Sequence, residues 1–131
     1  MVIFEKDFYP LHLKTMEKKD YIPIDDLEIY QLAMEIGDCV WAKVELWDWF
    51  GKQTLGAQVV RSADSIASNI AEGYGRYFFK ERRQLTFYAR GSLLETKTWA
   101  TKALRRKLMT QEEHDFLIEK LQALHYKINV Y

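Results

Sequence analysis

The segment NIAEGYGR, residues 69–76, has the composition of a loop that could bind phosphate. Gly73 and Gly75 flank an aromatic residue, and Arg76 follows directly. A phosphate loop, however, needs a β-strand before it and the N-terminus of a helix after it. The preceding residues instead continue a helical pattern, and the C-terminus of a helix carries partial negative charge that repels phosphate. The pattern therefore favours a helix end, with Gly73 in the left-handed conformation common there.

Side chains that could bind a metal or act as a nucleophile are few and scattered. The histidines are His12, His114 and His125, and none lies three residues after a glutamate, as a di-metal site in a helical bundle requires. Cys39 is the single cysteine and is interpreted as a small core residue. The sequence contains no Walker lysine and no GxSxG turn. It therefore predicts no enzyme, no metal site and no cofactor.

Charge is unevenly distributed along the 131 residues, although 19 Lys and Arg balance 19 Asp and Glu. Residues 1–75 have 7 basic and 13 acidic side chains, residues 76–107 have 10 and 2, and residues 108–131 have 2 and 4. The basic segment could bind RNA or DNA, or its charges could complement neighbouring helices or a second subunit. The candidate nucleic-acid-binding residues, which span more than one helical face, are Arg76, Lys80, Arg82, Arg83, Lys97, Lys102, Arg105, Arg106 and Lys107. The rings that could stack on bases are Tyr77, Phe78, Phe79 and Tyr88.

Helices must position these residues, because no segment alternates with the period of two that is typical of a strand. The stretch IPIDDLEIY resembles a helix start, in which Asp25 caps and Glu28 completes a capping box. Apolar residues then recur at spacings of three and four as far as Trp47, which indicates one helical face. A second apolar stripe on the same helix implies two packing partners.

Three further helices follow from local signals. Thr54, after the break at WDWFGKQT, is a candidate N-cap for the second helix. Gly91 lies in the middle of the third, where a close helix crossing would compensate for the low helix propensity of glycine. Thr110 and Glu113 form a second capping box at the start of the fourth. The predicted helices span residues 26–49, 55–72, 79–107 and 111–130.

Helices of this length joined by short turns predict an all-α fold, an antiparallel up-down four-helix bundle formed by residues 25–131. Residues 1–24, aromatic and charged without clear periodicity, would be an N-terminal arm along the bundle or a neighbouring subunit, or simply disordered. A single cysteine and the lack of an apolar run of membrane-spanning length predict a cytoplasmic protein that does not enter the membrane. The 19 aromatic residues favour a subunit interface.

The segments RSADSIASNIAEGYGR (61–76) and ARGSLLE (89–95) resemble the S23 family, also called 23S rRNA intervening-sequence proteins. DLEIYQLAMEI (26–36) is similar to the first helix of that family, so the resemblance covers about residues 26–131. It implies an up-down bundle without known catalysis, and some members form homopentameric rings. The fold is similar to that of the strongly basic accessory protein of diversity-generating retroelements, which binds nucleic acid and a reverse transcriptase. This chain differs in its shortened link between helices one and two and in its N-terminal arm.

The shared motifs contain polar residues that need partners outside their own helix. Arg61 and Glu72 are eleven residues apart, so they point the same way about 16 Å apart and cannot pair with each other. We therefore predict a structural polar network between the second and third helices, with a ligand or RNA site that uses the same arginines as the alternative. The predicted network consists of Arg61, Asn69, Glu72, Arg90, Ser92 and Glu95.

The favoured interpretation is a non-catalytic, self-associating bundle that acts as a nucleic-acid-binding or scaffold module. One alternative is a protein–protein adaptor that uses the aromatic-rich first helix and binds no nucleic acid. Another is an enzyme whose site is assembled between subunits, which would need a concave pocket with convergent titratable groups.

Overall fold

Helices account for most of residues 22–131, which are the residues that the computed structural model describes. The four long helices are α1 (Glu28–Val44), α2 (Ala57–Tyr74), α3 (Phe79–Arg105) and α4 (Gln111–Asn129). No strand occurs in this part of the chain, so the all-α prediction is confirmed for it. The predicted N-terminal arm lies, except for residues 22–24, outside the described residues. No helix between residues 22 and 131 has the length and apolar character needed to cross a membrane.

The start of α1 differs from the prediction. Ile24–Asp26 forms a 3₁₀ turn, in which the N–H of Leu27 donates to the carbonyl of Ile24 at 3.0 Å. Because the chain is already turned there, the N-cap position falls on Leu27, which has no side-chain acceptor, and Asp25 does not cap. The capping box predicted for Asp25 and Glu28 is therefore wrong.

The second helical segment begins at Trp49 and not at residue 55. The Asp48 carboxylate accepts a hydrogen bond from the N–H of Gly51 at 2.9 Å, which makes Asp48 the N-cap. One α-helical turn, Trp49–Gly51, leads into a π-helical turn, Lys52–Gly56, and then into α2. Thr54 lies inside the π-helical turn, where its hydroxyl donates to the Phe50 carbonyl at 2.7 Å, so the N-cap prediction for Thr54 is wrong.

The C-terminal end of α3 is a Schellman motif with a lysine at the position that usually holds glycine. Lys107 has a φ of 62°. Its N–H donates to Leu104 at 3.1 Å, and the N–H of Leu108 donates to Ala103 at 2.9 Å. By contrast no described glycine has positive φ, and Gly73 lies within α2, so its predicted left-handed conformation is wrong.

The start of α4 matches the sequence prediction. The Thr110 hydroxyl accepts a hydrogen bond from the N–H of Glu113 at 3.1 Å, and the Glu113 carboxylate accepts one from the N–H of Thr110 at 2.9 Å. The predicted capping box is confirmed.

Each helix contributes one stripe to a common apolar core. Ile36, Ile66, Leu93 and Leu121, one from each helix, have side chains that are almost completely buried. α2 contacts α1 and, most extensively, α3, while α4 contacts α1 and α3. The core side of α3 contains Ala89, Ala100 and Ala103, which lets its neighbours approach closely.

The contact between α2 and α3, called here the α2–α3 seam, is narrow. A Cβ added to Gly73 would lie 3.2 Å from the Cβ of Leu85. Gly91, predicted to mark the close crossing, instead faces open space, with nothing within 4 Å of an added Cβ. The glycine that permits the close approach is therefore Gly73 and not Gly91.

The contact between α1 and α4, called here the α1–α4 seam, is bordered by ion pairs. The side-chain nitrogens of Lys127, Lys120 and Lys43 lie 2.7, 2.5 and 3.1 Å from carboxylate oxygens of α1 or α4. The three pairs are Lys127–Glu28, Lys120–Glu35 and Lys43–Glu113. They join the start of α1 to the end of α4, and the end of α1 to the start of α4.

Candidate nucleic-acid interface

The structure does not join the residues of the predicted polar network. Glu72 pairs with Arg76 on its own helix end at 2.6 Å, and the Asn69 amide donates to the Ser65 carbonyl at 2.9 Å. The side chains of Arg61 and Glu95 are exposed and have no ion-pair partner among residues 22–131. Arg61, Glu72 and Glu95 are exposed and do not meet across the α2–α3 seam, so the structure does not contain the network predicted between these helices.

Two small hydroxyls provide the polar contact across the α2–α3 seam instead. The Ser62 and Thr96 oxygens lie 2.9 Å apart, and both residues are buried. The carbonyls of Val59 and Ser92 lie 3.1 and 2.8 Å from them and can accept the remaining hydroxyl proton. Ser92 thus contributes through its backbone, and the seam needs no charge.

Arg90, assigned by the sequence to that network, belongs to a pocket between the first turns of α3 and the end of α4. The pocket has a volume of about 360 Å³. α4 contributes Ile128 and Asn129, and the chain end contributes Tyr131. The α3 residues that define this arginine–aromatic pocket are Phe79, Arg82, Arg83, Phe87 and Arg90.

The arginines of the pocket lie over aromatic rings. The guanidinium carbons of Arg83 and Arg90 are 5.6 and 5.5 Å from the centroid of the half-exposed Phe87 ring. That of Arg82 is 5.9 Å from the Phe79 ring. A guanidinium at this distance is attracted by the ring quadrupole, which limits its motion without using its N–H donors. None of the three forms an ion pair with a described carboxylate.

Arg82 and Tyr131 lie near each other in the pocket. The Nε atom of Arg82 is buried and has no hydrogen-bond acceptor within residues 22–131. Burial raises the pKa of the Tyr131 phenol, and the positive charge of Arg82 opposes that shift. The phenol therefore stays neutral near pH 7 and keeps its O–H donor.

Several of the predicted nucleic-acid-binding residues share one side of α3. Arg83, Arg90 and Lys97 are seven residues apart, close to two helical turns, so they lie in one row beside α4. Arg105, Arg106 and Lys107 extend the positive charge at the far end of α3, where all are exposed. Lys80 and Lys102 point in other directions around the helix, and Arg76 is paired with Glu72.

Sequence reasoning missed Phe87 and Tyr131 and gave Arg90 a different role. The available signal was the spacing of Arg83, Phe87 and Arg90, since residues three and four apart meet on a helix surface. Tyr131 could not be found this way, because only the packing of α4 on α3 brings it near Arg82.

The α1–α2 side of the bundle has a different surface. Four large apolar residues between positions 41 and 50 are exposed: Trp41, Leu46, Trp49 and Phe50. Trp41 lines a groove of about 460 Å³ together with Val60 of α2. The carboxyl groups of Asp38 and Asp64 lie further along this side, and burial, followed by the charge of Asp38, raises the pKa of Asp64.

The residues weighed for metal or nucleophilic chemistry do not come together. Within residues 22–131, no three His, Cys, Asp or Glu side chains converge as a metal site requires. His114 lies 3.1 Å from the Asp115 carboxylate and 3.4 Å from the Thr101 hydroxyl. Burial raises the pKa of the Cys39 thiol, which reduces its reactive thiolate fraction. His12 lies outside the described residues.

Comparison with known proteins assigns the chain to a family. The sequence model of the 23S rRNA-intervening sequence protein family matches residues 25–130. The chain belongs to this family. The match includes all four helices and confirms the resemblance of the NIAEG and GSLLE segments.

The fold is similar to that of a crystal structure from the same family. That structure, of a protein with unknown function from the S23 ribosomal protein family of Bacteroides thetaiotaomicron, aligns with a TM-score of 0.69 and 16% sequence identity. The alignment covers 76% of this chain and 94% of that one. A search of curated proteins gave no significant match. The likeness at this identity concerns the fold alone.

Proposed function

We propose that the chain is a non-catalytic, antiparallel up-down four-helix bundle that binds nucleic acid along the α3–α4 side. The observation that carries the proposal is the arginine–aromatic pocket, in which three arginines without a described carboxylate partner lie beside exposed rings. The row formed by Arg83, Arg90 and Lys97 continues the same chemistry along α3. The proposal keeps the cytoplasmic location expected from the single cysteine.

The contacts between helices support the antiparallel arrangement. Glu28 pairs with Lys127 and Lys43 with Glu113, so rising numbers on α1 meet falling numbers on α4. The close approaches of Gly37 to Asp64 and of Gly56 to Val44 follow the same order for α1 and α2. This arrangement leaves the α3–α4 side and the α1–α2 side as opposite surfaces.

Binding of nucleic acid by this surface should depend strongly on salt. Phosphate contacts by Lys and Arg release counterions, so affinity for RNA falls steeply with salt. We expect wild-type protein to bind a 20-nucleotide RNA with a slope of log K against log [salt] of about −3 to −5, since about 0.7 counterions are released per single-strand phosphate contact.

Charge reversal at Arg105 and Arg106 tests the proposal. Both are exposed, so the double variant Arg105→Glu/Arg106→Glu should fold normally. We expect the slope to flatten by about 1 to 2 and the affinity at low salt to fall at least tenfold. Fluorescence anisotropy across a salt series measures both quantities.

The matched control is Lys52→Glu/Arg61→Glu, which changes the net charge equally but on the α1–α2 side. It should leave the slope and the affinity almost unchanged. Because Lys52 and Arg61 line the groove on the α1–α2 side, light scattering is used to establish that this variant has the same assembly as the wild type. An equal loss in both double variants would show only an effect of net charge and would contradict an interface on α3. Failure of the wild-type protein to bind RNA at low salt would end the proposal.

The exposed apolar residues on the α1–α2 side support self-association as a second property. Leu46 is 82% and Trp49 is 74% exposed, and Trp41, which lines the groove on this side, is 59% exposed. Several large exposed apolar side chains within ten residues are typical of an interaction site. A homo-oligomer formed by this side would leave the α3–α4 side free, and the resemblance to ring-forming relatives implies a pentamer.

Light scattering tests self-association. We expect a mass that is a multiple of 15.6 kDa at micromolar concentration. Trp41→Ser/Trp49→Ser should shift the assembly toward monomer, whereas Tyr126→Ser, which removes an exposed ring from α4, should not. A monomeric wild-type protein would contradict this property. It would then favour the adaptor alternative, in which the same surface binds a different protein.

A further inference from the structure

The arginine–aromatic pocket is shaped for a small planar and anionic ligand. Its volume of about 360 Å³ lies near the lower limit of small-molecule sites, which occupy roughly 300–1,000 Å³. A folded protein segment would not enter a space of this size, whereas one nucleotide unit would. The pocket is open on the α3 side, where the ring of Phe87 is 48% exposed.

The arginine N–H groups remain available as hydrogen-bond donors in the pocket. Because the guanidinium groups of Arg83 and Arg90 rest on the Phe87 ring, their N–H edges are not consumed by that contact. The edge of a guanidinium matches the oxygens of a phosphate in a bidentate arrangement. Arg82 adds a third guanidinium to the pocket, and no described carboxylate forms an ion pair with it.

The rings of the pocket discriminate between single and double strands. In a duplex the base faces are stacked on one another and cannot reach Phe79 or Phe87. An unpaired base can stack on an aromatic ring or on a guanidinium plane. Arginine contacts to phosphate alone would not make this distinction, since both forms carry the same backbone charge.

We propose that the arginine–aromatic pocket binds one unpaired nucleotide of a single-stranded nucleic acid. Its phosphate lies against the N–H edges of Arg82, Arg83 and Arg90, and its base stacks on the layer that the Phe87 ring forms with the guanidinium groups resting on it. This inference rests on the proposed function, because it names the form of nucleic acid that the α3–α4 side prefers. RNA and DNA single strands share the base and the phosphate, so both should bind.

The test compares a 12-nucleotide single-stranded RNA, a single-stranded DNA of equivalent sequence and an RNA hairpin whose stem has the same number of phosphates. The hairpin is closed by a polyethylene glycol linker in place of a nucleotide loop, so it has no unpaired base. The full-length protein is titrated with each by fluorescence anisotropy at one fixed salt concentration. We expect both single strands to bind about tenfold more tightly than the hairpin, because base stacking on an aromatic side chain contributes about that factor.

Phe87→Leu removes the ring while keeping an apolar side chain at a half-exposed position. It should reduce the affinity for both single strands about five- to tenfold and leave the hairpin unchanged. The matched control is Phe116→Leu, which removes a ring of similar exposure from α4 outside the pocket and should change neither. Arg82→Lys keeps the charge but removes the guanidinium edge that matches a phosphate, and it should also weaken single-strand binding.

Each outcome separates the pocket from the wider proposal. Equal affinity for hairpin and single strands, with no effect of Phe87→Leu, would overturn the nucleotide site while leaving nucleic-acid binding by α3 intact. If Phe87→Leu weakened the binding of single-stranded RNA but not of single-stranded DNA, the assignment to base and phosphate would be overturned. That result would indicate recognition of the 2′-hydroxyl. Absence of wild-type binding to any of the three probes would overturn the proposed function itself. Circular dichroism of both pocket variants establishes that they are folded.

Discussion

The α2–α3 seam and the α1–α4 seam join helices of the same bundle by different means. The first depends on shape: Gly73 lets the helices approach, and the hydroxyls of Ser62 and Thr96 meet in the dry interior. The second is bordered by Lys–Glu pairs that are partly exposed to water. Adding atoms at a close apolar contact destabilises the folded state, whereas the contribution of an exposed ion pair depends on salt and pH.

The difference indicates where the bundle obtains its specificity. The α2–α3 seam admits only small side chains, so it fixes which helices can pair and in which register. The α1–α4 pairs each contribute little free energy in water, but they oppose a shifted register because like charges would then meet. Four substitutions test this division, in order of decreasing expected effect.

Gly73→Val should lower the free energy of unfolding by about 2–3 kcal/mol, because overpacking at a contact that is already close forces the helices apart. Its Cβ would lie 3.2 Å from that of Leu85. Gly91→Ala, on the open side of α3, should instead raise it by about 1 kcal/mol. Urea denaturation measures both, and a similar change at the two glycines would contradict the assignment of the seam.

Glu113→Ala should cost about 1–2 kcal/mol at pH 7, since it removes one half of the capping box and the partner of Lys43. The backbone hydrogen bond from Thr110, followed by the bond from Lys43, lowers the pKa of this carboxyl. A lowered pKa in the folded state gives stability that is present above the ordinary value of about 4.3 and is lost as pH falls through the lowered value.

The difference in stability between wild type and Glu113→Ala should therefore shrink in acid. Urea denaturation at pH 7, 5, 4 and 3 measures it, with the neighbouring exposed residue tested as Glu112→Ala for comparison. A difference that stays constant down to pH 3 would mean that the ionised carboxylate contributes nothing.

Thr96→Val should cost about 1 kcal/mol, because it removes one hydroxyl of a buried pair while keeping the shape of the side chain. The cost should not depend on salt. Thr98→Val, whose hydroxyl donates within α3 on the exposed side, serves as the control and should be almost neutral. Equal costs at the two threonines would show that the contact across the seam has no special role.

Glu35→Gln should have the smallest effect, about 0.3–0.5 kcal/mol at low salt, because its pair with Lys120 is half exposed. The effect should disappear near 1 M NaCl, where charges are screened within about 3 Å. A loss above about 1 kcal/mol that persists at high salt would place this pair among the main determinants of the fold.

Local signals allowed some features to be predicted from the sequence. The capping box of Thr110 and Glu113 involves residues three apart, so no tertiary contact was needed to find it. The helical periodicity and the family motifs likewise predicted an all-α chain. By contrast, Asp25 and Thr54 have the residue type of an N-cap but do not act as one. The sequence did not show that a 3₁₀ turn would precede α1, or that Asp48 would cap the second helical segment in place of Thr54.

Features that depend on pairing between helices were not predictable. Gly73 and Gly91 are both interior helix residues, and only the position of a neighbouring helix determines which one is in contact. Arg61 and Glu72 do share a side of α2, but that side is exposed and Glu72 pairs with Arg76 at the end of the same helix. Only part of the arginine–aromatic pocket could be predicted. The spacing of its α3 residues is present in the sequence, whereas the contribution of α4 depends on how the helices pack.

The π-helical turn at Lys52–Gly56 lies between the helical turn that carries Trp49 and Phe50 and the start of α2. Such a turn accommodates one more residue than an α-helical turn. Deleting a single residue there would convert the turn to ordinary α-helix with little rotation of Trp49 and Phe50 about the axis, because four α-helical residues turn the chain about as far as five π-helical ones. The buried stripe from Val59 onward would also keep its place, so this turn is a position at which the chain can lose one residue while the outward-facing rings keep their direction.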